Sequence, residues 1–131
     1  MKIVFDTNVL LSAFATQGLS YRVLDICLDK HKLYISKWII DEVTEKLGSK
    51  FLVEKKIIKN VLSFIESEFI LVQPTGELPN KCRDKDDNNV LHLANSCGAH
   101  LILTGDKDLL TLKTYKKIHI INPRRFMEEF N

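Results

Sequence analysis

The chain has 131 residues, 45% of them hydrophobic, which is enough for one domain with a sizeable core over residues 1–131. Its 19 basic and 17 acidic side chains leave a formal charge of only +2, which excludes a uniformly basic surface, so any contact with nucleic acid has to come from local patches. The three cysteines contain no C-x-x-C pair, and no segment approaches the ~20 apolar residues of a membrane span, so we expect a cytoplasmic protein without a disulfide framework, a zinc site or membrane contact.

The first part of the chain predicts two strands separated by helices. Residues 3–5 are continuously apolar, as in a strand that is buried on both faces, and a helical turn follows over residues 9–14. Ser20 is a candidate cap for the next helix, whose apolar residues recur at three-and-four spacing. This helix leads to a second strand at residues 33–35.

Two further helices precede the third predicted strand. Ser36 is expected to cap the first of them, and Gly48 is expected to end it. A lysine-rich amphipathic helix follows over about residues 53–67 and leads into a strand at residues 69–72.

The second half begins with a loop at residues 74–79 and a polar cluster at residues 82–89. A helix follows, with a buried face that starts at Val90 and an end at Gly98, and it is followed by a strand at Leu101–Leu103. The remaining predicted elements are a helix at Lys107–Leu112, a strand at Ile118–Ile121 and a helix at residues 123–130.

Strands that alternate with helices form a parallel sheet, because each right-handed crossover places a helix between two parallel strands. The sequence therefore predicts an α/β fold with a central parallel sheet of about five strands and helices on both faces.

Four acidic residues lie where a strand is expected to end or a helix to begin. Asp6 follows the first strand, and Asp106 follows the strand at Leu101–Leu103, so both should project from the carboxyl edge where open α/β sheets hold their ligands. Glu42 lies beside the apolar stripe of its predicted helix, and Asp87 lies in the polar cluster.

Four carboxylates at one edge of a sheet would repel one another. A pair of unit charges at about 4 Å and an effective dielectric of about 20 costs roughly 4 kcal/mol. Such a cluster therefore needs bound cations or partial protonation near neutral pH, and a hard cation such as Mg²⁺ or Mn²⁺ suits oxygen ligands. The spacing leaves open whether one or two ions bind.

The same residues form a set of short motifs in a fixed order. These are D-T-N at residues 6–8, Glu42, D-x-D-D at residues 84–87 and T-G-D-x-D-L at residues 104–109. Over nearly the whole chain, this ordered set resembles the PIN-domain family, and in particular the toxin-like bacterial PIN proteins of the VapC type. The resemblance implies a three-layer α/β/α sandwich with strand order 3-2-1-4-5, and cleavage of RNA by a water molecule that Mg²⁺ or Mn²⁺ activates.

The resemblance also assigns roles to individual residues. It implies that four residues are both catalytic and metal-binding: Asp6, Glu42, Asp87 and Asp106. Possible additional acids of the site are Asp84 and Asp108, and Asp86 competes with Asp84 and Asp87 for the position in the polar cluster. Polar residues expected to support the ligands are Thr7, Asn8 and Thr104. No organic cofactor is implied.

Each acid also has a structural interpretation. Asp6 would form an Asx turn that caps the next helix, and Asp106 would cap the helix that begins at Lys107. Glu42 would belong to a solvated helix face, and Asp84, Asp86 and Asp87 would favour a helix N-terminus electrostatically.

Several basic residues are expected on the same side of the sheet as the acids. They are Lys37, Lys81, Arg83, Lys85 and Lys107. They could contact the phosphates that flank the cut, although ordinary solvated charge explains each of them equally well.

The expected function is a metal-dependent endoribonuclease, the toxin of a toxin-antitoxin pair, with RNA as substrate, an antitoxin protein as partner and a homodimer as the assembly. Two alternatives share the fold: a PIN nuclease of RNA maturation or decay without an antitoxin, and a catalytically silent scaffold that binds RNA or protein. A phosphoacceptor receiver module is disfavoured, because it needs paired acids after the first strand and Asp6 stands alone.

Overall fold

The computed structural model describes residues 1–131 as a six-stranded sheet with seven helices. The strands are β1 Lys2–Phe5, β2 Lys32–Ile35, β3 Ile70–Leu71, β4 Leu101–Leu103, β5 Thr114–Tyr115 and β6 Ile118–Ile121. The helices are α1 Thr7–Ala15, α2 Leu19–Lys30, α3 Lys37–Ser49, α4 Lys55–Glu68, α5 Asp87–Cys97, α6 Lys107–Leu112 and α7 Pro123–Glu129.

The sheet confirms the predicted α/β fold. Its spatial order is β3-β2-β1-β4-β6-β5, and all neighbouring strands except β5 and β6 are parallel. Because β6 is the fifth of the strands predicted from the sequence, the parallel part has the order 3-2-1-4-5 that the resemblance implies.

The two central strands, β1 and β4, are covered on both faces. Residues 3–5 and Leu101–Leu103 are each at most 1% exposed. Since successive side chains of a strand point to opposite faces, helices must pack against both sides of the sheet. This burial accounts for the continuous apolar runs in the sequence and agrees with a three-layer arrangement.

Each of the first three helices differs from its prediction at a boundary. Helix α1 begins at Thr7, so the predicted turn at residues 9–14 is part of a longer helix. Gly18, in extended conformation, is the N-cap of α2, and the prediction of Ser20 as its cap was wrong. Gly48 lies inside α3, which continues to Ser49, and the backbone N–H of Lys50 still donates to Lys46 O at 2.9 Å.

Two caps agree with the sequence. Ser36 caps α3, since its Oγ accepts a hydrogen bond from the backbone N–H of Ile39 at 3.3 Å. Helix α5 ends at Gly98, which adopts a left-handed conformation with φ of 67° that favours glycine. The start of α5 differs, because the helix begins at Asp87 and so includes the last residues of the predicted polar cluster.

The edges of the sheet are shorter and more irregular than its centre. Strand β3 is limited to Ile70–Leu71, both exposed, where residues 69–72 were predicted. On the opposite edge, β5 pairs antiparallel with β6, and this strand was not predicted. Two residues are too short a segment to show the alternation from which strands are recognised.

None of the seven helices combines the length and the apolar character that a membrane span requires.

Candidate active site

The carboxyl edge of the sheet brings separate parts of the chain together. The backbone N–H of Asp6, just after β1, donates to Leu103 O at 2.9 Å at the end of β4. The backbone N–H of Thr104 donates in turn to Ile121 O at 3.0 Å, at the end of β6. The residues that follow these three strands therefore lie side by side at one edge.

Asp6 is a buried carboxylate, 5% exposed, directly after β1. Its Oδ2 accepts a hydrogen bond from Thr104 Oγ1 at 2.7 Å. Burial raises the pKa of Asp6, while the hydrogen bond from Thr104 opposes that change. Asp6 is the N-cap residue of α1, yet its side chain makes no capping hydrogen bond, so the Asx-turn interpretation lacks support.

Thr104 is fully buried and connects two of the predicted site acids. Besides donating to Asp6, its Oγ1 accepts the backbone N–H of Asp106 at 3.0 Å. Thr104 thus holds the Asp6 carboxylate and the turn that carries Asp106 in one arrangement.

Asp87 is the first residue of α5 and is only 7% exposed. Its Oδ2 is buried and has no hydrogen-bond partner. Burial, followed by the negative charges of Asp106, Asp6 and other nearby aspartates, raises the pKa of Asp87 to about 7. A buried carboxylate oxygen without a partner costs free energy, so this atom indicates a missing ligand.

The position of Asp106 is compatible with both of its predicted roles, as the cap of α6 and as a residue of the site. Its Oδ1 accepts hydrogen bonds from the backbone N–H groups of Asp108, at 2.7 Å, and Leu109, at 3.3 Å, and so caps α6. The side chain is half-buried and also lines the acidic cavity described next, which leaves Oδ2 for another ligand.

The acids meet at a small, polar cavity of about 60 Å³. We call it the acidic cavity, and its lining residues are Asp6, Thr7, Asn8, Trp38, Glu42, Lys46, Asp84, Asp86, Asp87 and Asp106. All four residues predicted as catalytic line it. Carboxylate oxygens of Asp87, Asp106 and Asp108 lie within 4.8 Å of one another, whereas Asp6 and Glu42 lie outside this closest group.

Glu42 reaches the acidic cavity from α3 and is accompanied by a cation. Its Oε1 lies 3.7 Å from Nζ of Lys46, one helical turn further along. The Glu42 side chain is 21% exposed, so it is not a freely solvated charge. Burial raises the pKa of Asp6, and the positive charge of Lys46 opposes this change slightly. Lys46 was not predicted as a site residue, although its i, i+4 spacing from Glu42 indicates that the two side chains lie together on α3.

Thr7 and Asn8 follow Asp6 and line the same cavity. Thr7 is buried and its Oγ1 has no hydrogen-bond partner, while Asn8 is exposed. Neither side chain hydrogen-bonds to a site carboxylate, so among the three predicted supporting residues only Thr104 makes such a contact.

Asn88 holds the loop before α5. The sequence predicted it only as a member of the polar cluster and gave it no role of its own. Asn88 is 2% exposed, and its Oδ1 accepts the backbone N–H groups of Lys81 and Cys82, both at 3.0 Å. Asp84 and Asp86 are exposed members of this loop, and Asp84 Oδ1 accepts the backbone N–H of Asp86 at 3.0 Å. Asp84, Asp86 and Asp87 all line the acidic cavity, and Asp87 is the buried one.

The predicted basic residues do not line the acidic cavity. Lys37 pairs with Asp41 at 3.0 Å on the surface, and Arg83 pairs with Asp108 at 3.4 Å. The remaining three, Lys81, Lys85 and Lys107, are exposed. Arg83 thus lies next to the site through Asp108.

A larger cavity of about 350 Å³ lies elsewhere, between α1, α2 and α4. Eight of its ten lining residues are hydrophobic, and Asp25 is its only carboxylate. Its size does not make it the site of chemistry, because none of the converging acids reaches it.

The acidic cavity fits a hard divalent cation. Asp87 and Asp106 line the cavity, and Asp108, although not a lining residue, has a carboxylate oxygen close enough to theirs for the three to share one ion. The Oδ2 of Asp87 has no hydrogen-bond partner. An all-carboxylate donor set favours Mg²⁺ or Mn²⁺ over softer metals. Neutralising this charge would also remove the repulsion that raises the pKa of Asp87.

Comparison with known proteins gives matches over the whole chain. The model of a family described as PIN domain matches residues 2–108. An uncharacterized protein of Methanocaldococcus jannaschii is 34% identical over 144 residues, which span 99% of this chain and 92% of that protein.

Solved structures with a similar fold are much more distant in sequence. VapBC2 from Rickettsia felis, bound to a DNA fragment from its promoter, superposes with a TM-score of 0.66 at 16% identity, covering 93% of this chain and 98% of the other. VapBC-1 from nontypeable Haemophilus influenzae gives 0.66 at 12%, covering 95% and 99%. FitAcB from Neisseria gonorrhoeae gives 0.55 at 15%, covering 93% and 98%. At these identities the likeness concerns the fold.

Proposed function

Because this chain belongs to the PIN domain family, we propose that it is a metal-dependent endoribonuclease that cleaves RNA phosphodiester bonds at the acidic cavity. The resemblance that the sequence motifs indicated is thus confirmed at the level of the family. The nuclease assignment is supported by the family and by the acids that line the cavity.

The single observation that carries the proposal is the convergence of acids from distant parts of the chain. Asp6, Asp87 and Asp106 follow or begin three different elements, yet all line one small cavity. At least one of their oxygens is buried without a partner. A fold gains no stability from such an arrangement, so a function that requires concentrated negative charge is the better explanation.

The proposed cation would be held by Asp87, Asp106 and Asp108, with Asp6 and Glu42 on the adjoining walls of the cavity. When bound, Mg²⁺ or Mn²⁺ supplies a more acidic water and offsets negative charge on the phosphodiester. The cavity leaves open whether one ion or two bind there.

The chain's own residues set the conditions for this chemistry. Asp87, with a pKa of about 7, must lose its proton before it can act as a ligand, so protons compete with the cation near neutral pH. The hydrogen bond from Thr104 keeps the Asp6 carboxylate in one orientation. No histidine lines the acidic cavity, so proton transfer there would depend on carboxylates and water. By the resemblance, the products would carry a 5′-phosphate and a 3′-hydroxyl.

Cleavage of a single-stranded RNA by EDTA-treated protein, with and without added Mn²⁺, tests the proposal. We expect wild-type cleavage to require Mn²⁺ and to be abolished in Asp6→Asn and Asp106→Asn. Asparagine at position 106 retains an oxygen that can cap α6, which protects the fold. Asp41→Asn is the matched control, because Asp41 is exposed, pairs with Lys37 and does not line the acidic cavity. Equal cleavage by all four proteins would overturn the proposal.

We further propose that the protein acts in the cytoplasm as the toxin of a toxin-antitoxin pair, held inactive by a small antitoxin protein, and that it forms a homodimer. Support comes from the similarity to the VapBC and FitAcB structures and from the VapC-type motifs. Expression of the chain should arrest growth, and co-expression of the product of the adjoining reading frame should relieve the arrest. RNA cleavage without growth arrest would favour a PIN nuclease of RNA maturation or decay.

A further inference from the structure

A second cavity with polar lining residues lies at the edge of the sheet where β6 ends. It has a volume of about 580 Å³ and is lined by residues from the end of α6, from β6 and from the start of α7. Its lining residues are Leu110, Lys113, Thr114, His119, Ile120, Ile121, Asn122 and Arg125. We call it the basic cavity, because Lys113 and Arg125 line it and no carboxylate does.

The sequence around this cavity carries a concentration of positive charge that the net charge conceals. Residues 109–127 contain five basic side chains and no Asp or Glu, in a chain whose formal charge is only +2. The five are Lys113, Lys116, Lys117, Arg124 and Arg125, and all are exposed. Such a local patch is what a chain with nearly balanced charge requires for contact with a polyanion.

The position of Lys113 is fixed by the backbone on both sides. Its N–H donates to Leu110 O at 3.1 Å, and its carbonyl accepts from Ile120 N at 2.9 Å. Its backbone has φ of 61°, a conformation that residues other than glycine rarely adopt. No ion pair involves Lys113, while Arg125 pairs with Glu129 on its own helix.

Helix α6 joins a residue of the acidic cavity to a residue of the basic cavity. Helix α6 has Asp106 at its N-cap and Lys113 at its C-cap, and its six residues span about 9 Å. Thr104 and Ile121, at the ends of β4 and β6, are joined by a backbone hydrogen bond of 3.0 Å. A strand whose scissile phosphate lies at the acids would therefore pass the basic cavity within a few nucleotides.

We propose that the basic cavity binds a backbone phosphate of the RNA substrate beside the scissile one, with Lys113 and Arg125 as the ligands. This inference rests on the proposed ribonuclease function and extends it by naming a substrate-positioning site. Phosphate contacts of this kind fix the register of a strand without reading its bases. Because the acidic cavity repels the polyanion, a cationic site next to it would hold the strand in place for cleavage.

The test measures binding separately from cleavage. A fluorescent 12-nucleotide single-stranded RNA is titrated with protein in EDTA, so that it is not cut, at several salt concentrations. Lys113→Gln/Arg125→Gln is compared with Lys55→Gln/Lys59→Gln, which removes the same charge from α4, the helix that leads to the opposite edge of the sheet. Thermal unfolding of each protein establishes that it is folded, and Lys113→Arg should bind as wild type does.

Each lost phosphate contact should reduce the slope of log K against log salt by about 0.7 for a single strand. We expect the slope for Lys113→Gln/Arg125→Gln to be smaller in magnitude than the wild-type slope by about 1.4. The ratio of the wild-type to the variant binding constant should therefore fall about sevenfold between 50 and 200 mM salt. Slopes that are equal in the two double variants would overturn the site. Displacement of RNA by polyglutamate at equal charge concentration would assign the cavity to an acidic protein and also overturn it.

These outcomes are distinct from failure of the proposed function. Loss of Mn²⁺-dependent cleavage in the wild type would contradict the nuclease, whereas the salt slope is measured on RNA that is never cleaved. If the site is correct, the cavity variant should raise KM for a short RNA more than it lowers kcat, since the phosphate contact is made in both ground and transition states.

Discussion

Thr104 Oγ1 donates a 2.7 Å hydrogen bond to Asp6 Oδ2 and at the same time accepts the backbone N–H of Asp106 at 3.0 Å. The hydroxyl is buried, and both of its partners belong to residues that line the acidic cavity. One side chain therefore links the end of β1 to the start of α6. The consequence for metal binding can be tested by removing this hydroxyl alone.

Thr104→Val should weaken Mn²⁺ binding by about 10- to 100-fold, as loss of a group that orients a metal ligand commonly does. Valine has the shape of threonine but cannot donate, so the pKa of Asp6 should rise further and activity should require a higher pH. The pH–rate profile measures this change. Thr104→Ser retains the hydroxyl and should behave nearly as wild type; an identical profile for the valine variant would contradict the role.

The metal-free protein should be less stable at pH 8 than at pH 5. Asp87 has a folded-state pKa of about 7 against an ordinary value of 3.8, so between these values the folded protein retains a proton that the unfolded chain has lost. Its free energy of unfolding therefore falls as the pH rises from about 4 to about 7, by an amount of the order of 2–4 kcal/mol.

Denaturant unfolding in EDTA at several pH values measures the effect, with Asp87→Asn as the comparison. The asparagine variant should lose most of this pH dependence and exceed the wild type in stability at pH 8. Saturating Mn²⁺ should restore wild-type stability at pH 8 and have little effect at pH 5, where protons occupy the site. A free energy of unfolding that does not change with pH in the metal-free wild type would contradict a buried Asp87 that neighbouring carboxylates repel.

Lys46→Gln should tighten Mn²⁺ binding. Lys46 lies 3.7 Å from Glu42 and lines the acidic cavity, so its charge opposes entry of a cation. Because the lysine side chain is 36% exposed, the effect should be about 1 kcal/mol, or roughly fivefold in affinity. Calorimetric titration checks this, and Lys37→Gln, which removes a surface lysine paired with Asp41, should leave the affinity unchanged.

Asn88→Ala should destabilise the protein by about 1–3 kcal/mol and weaken Mn²⁺ binding. The substitution leaves the backbone N–H groups of Lys81 and Cys82 without their acceptor, and Cys82 is buried. The loop that carries the aspartates before α5 should loosen, which hydrogen exchange at Cys82 would detect. Asn89→Ala is the control, because its amide makes only a 3.4 Å contact with Asp86 O.

The fold could be predicted from the sequence because its core strands are continuously apolar. Residues 3–5 and Leu101–Leu103 are buried on both faces, and that burial requires the apolar runs from which they were recognised. Strand β5 could not be recognised in this way, since it consists of two residues that pair antiparallel with β6. Pairing of that kind depends on the finished sheet and leaves no periodic signal.

The acids of the site could be proposed from their positions, but their relations to one another required the structure. The motif favoured Asp87, with Asp84 and Asp86 as competitors in the same polar cluster. The structure adds their burial, since Asp87 is 7% exposed whereas Asp84 and Asp86 are solvent-exposed. Lys46 lies in the cavity because of the rotation of α3. Such contacts between side chains from different elements depend on three-dimensional packing.

Direct measurement of Mn²⁺ binding by electron paramagnetic resonance, on EDTA-treated and desalted protein, tests the central claim most directly. The account predicts saturable binding by the wild type at pH 8, little binding by Asp87→Asn or Asp106→Asn, and binding close to wild type by Asp41→Asn. Binding that is equally strong in the Asp87 and Asp106 variants would contradict a metal site built from these carboxylates, and with it the proposed mechanism.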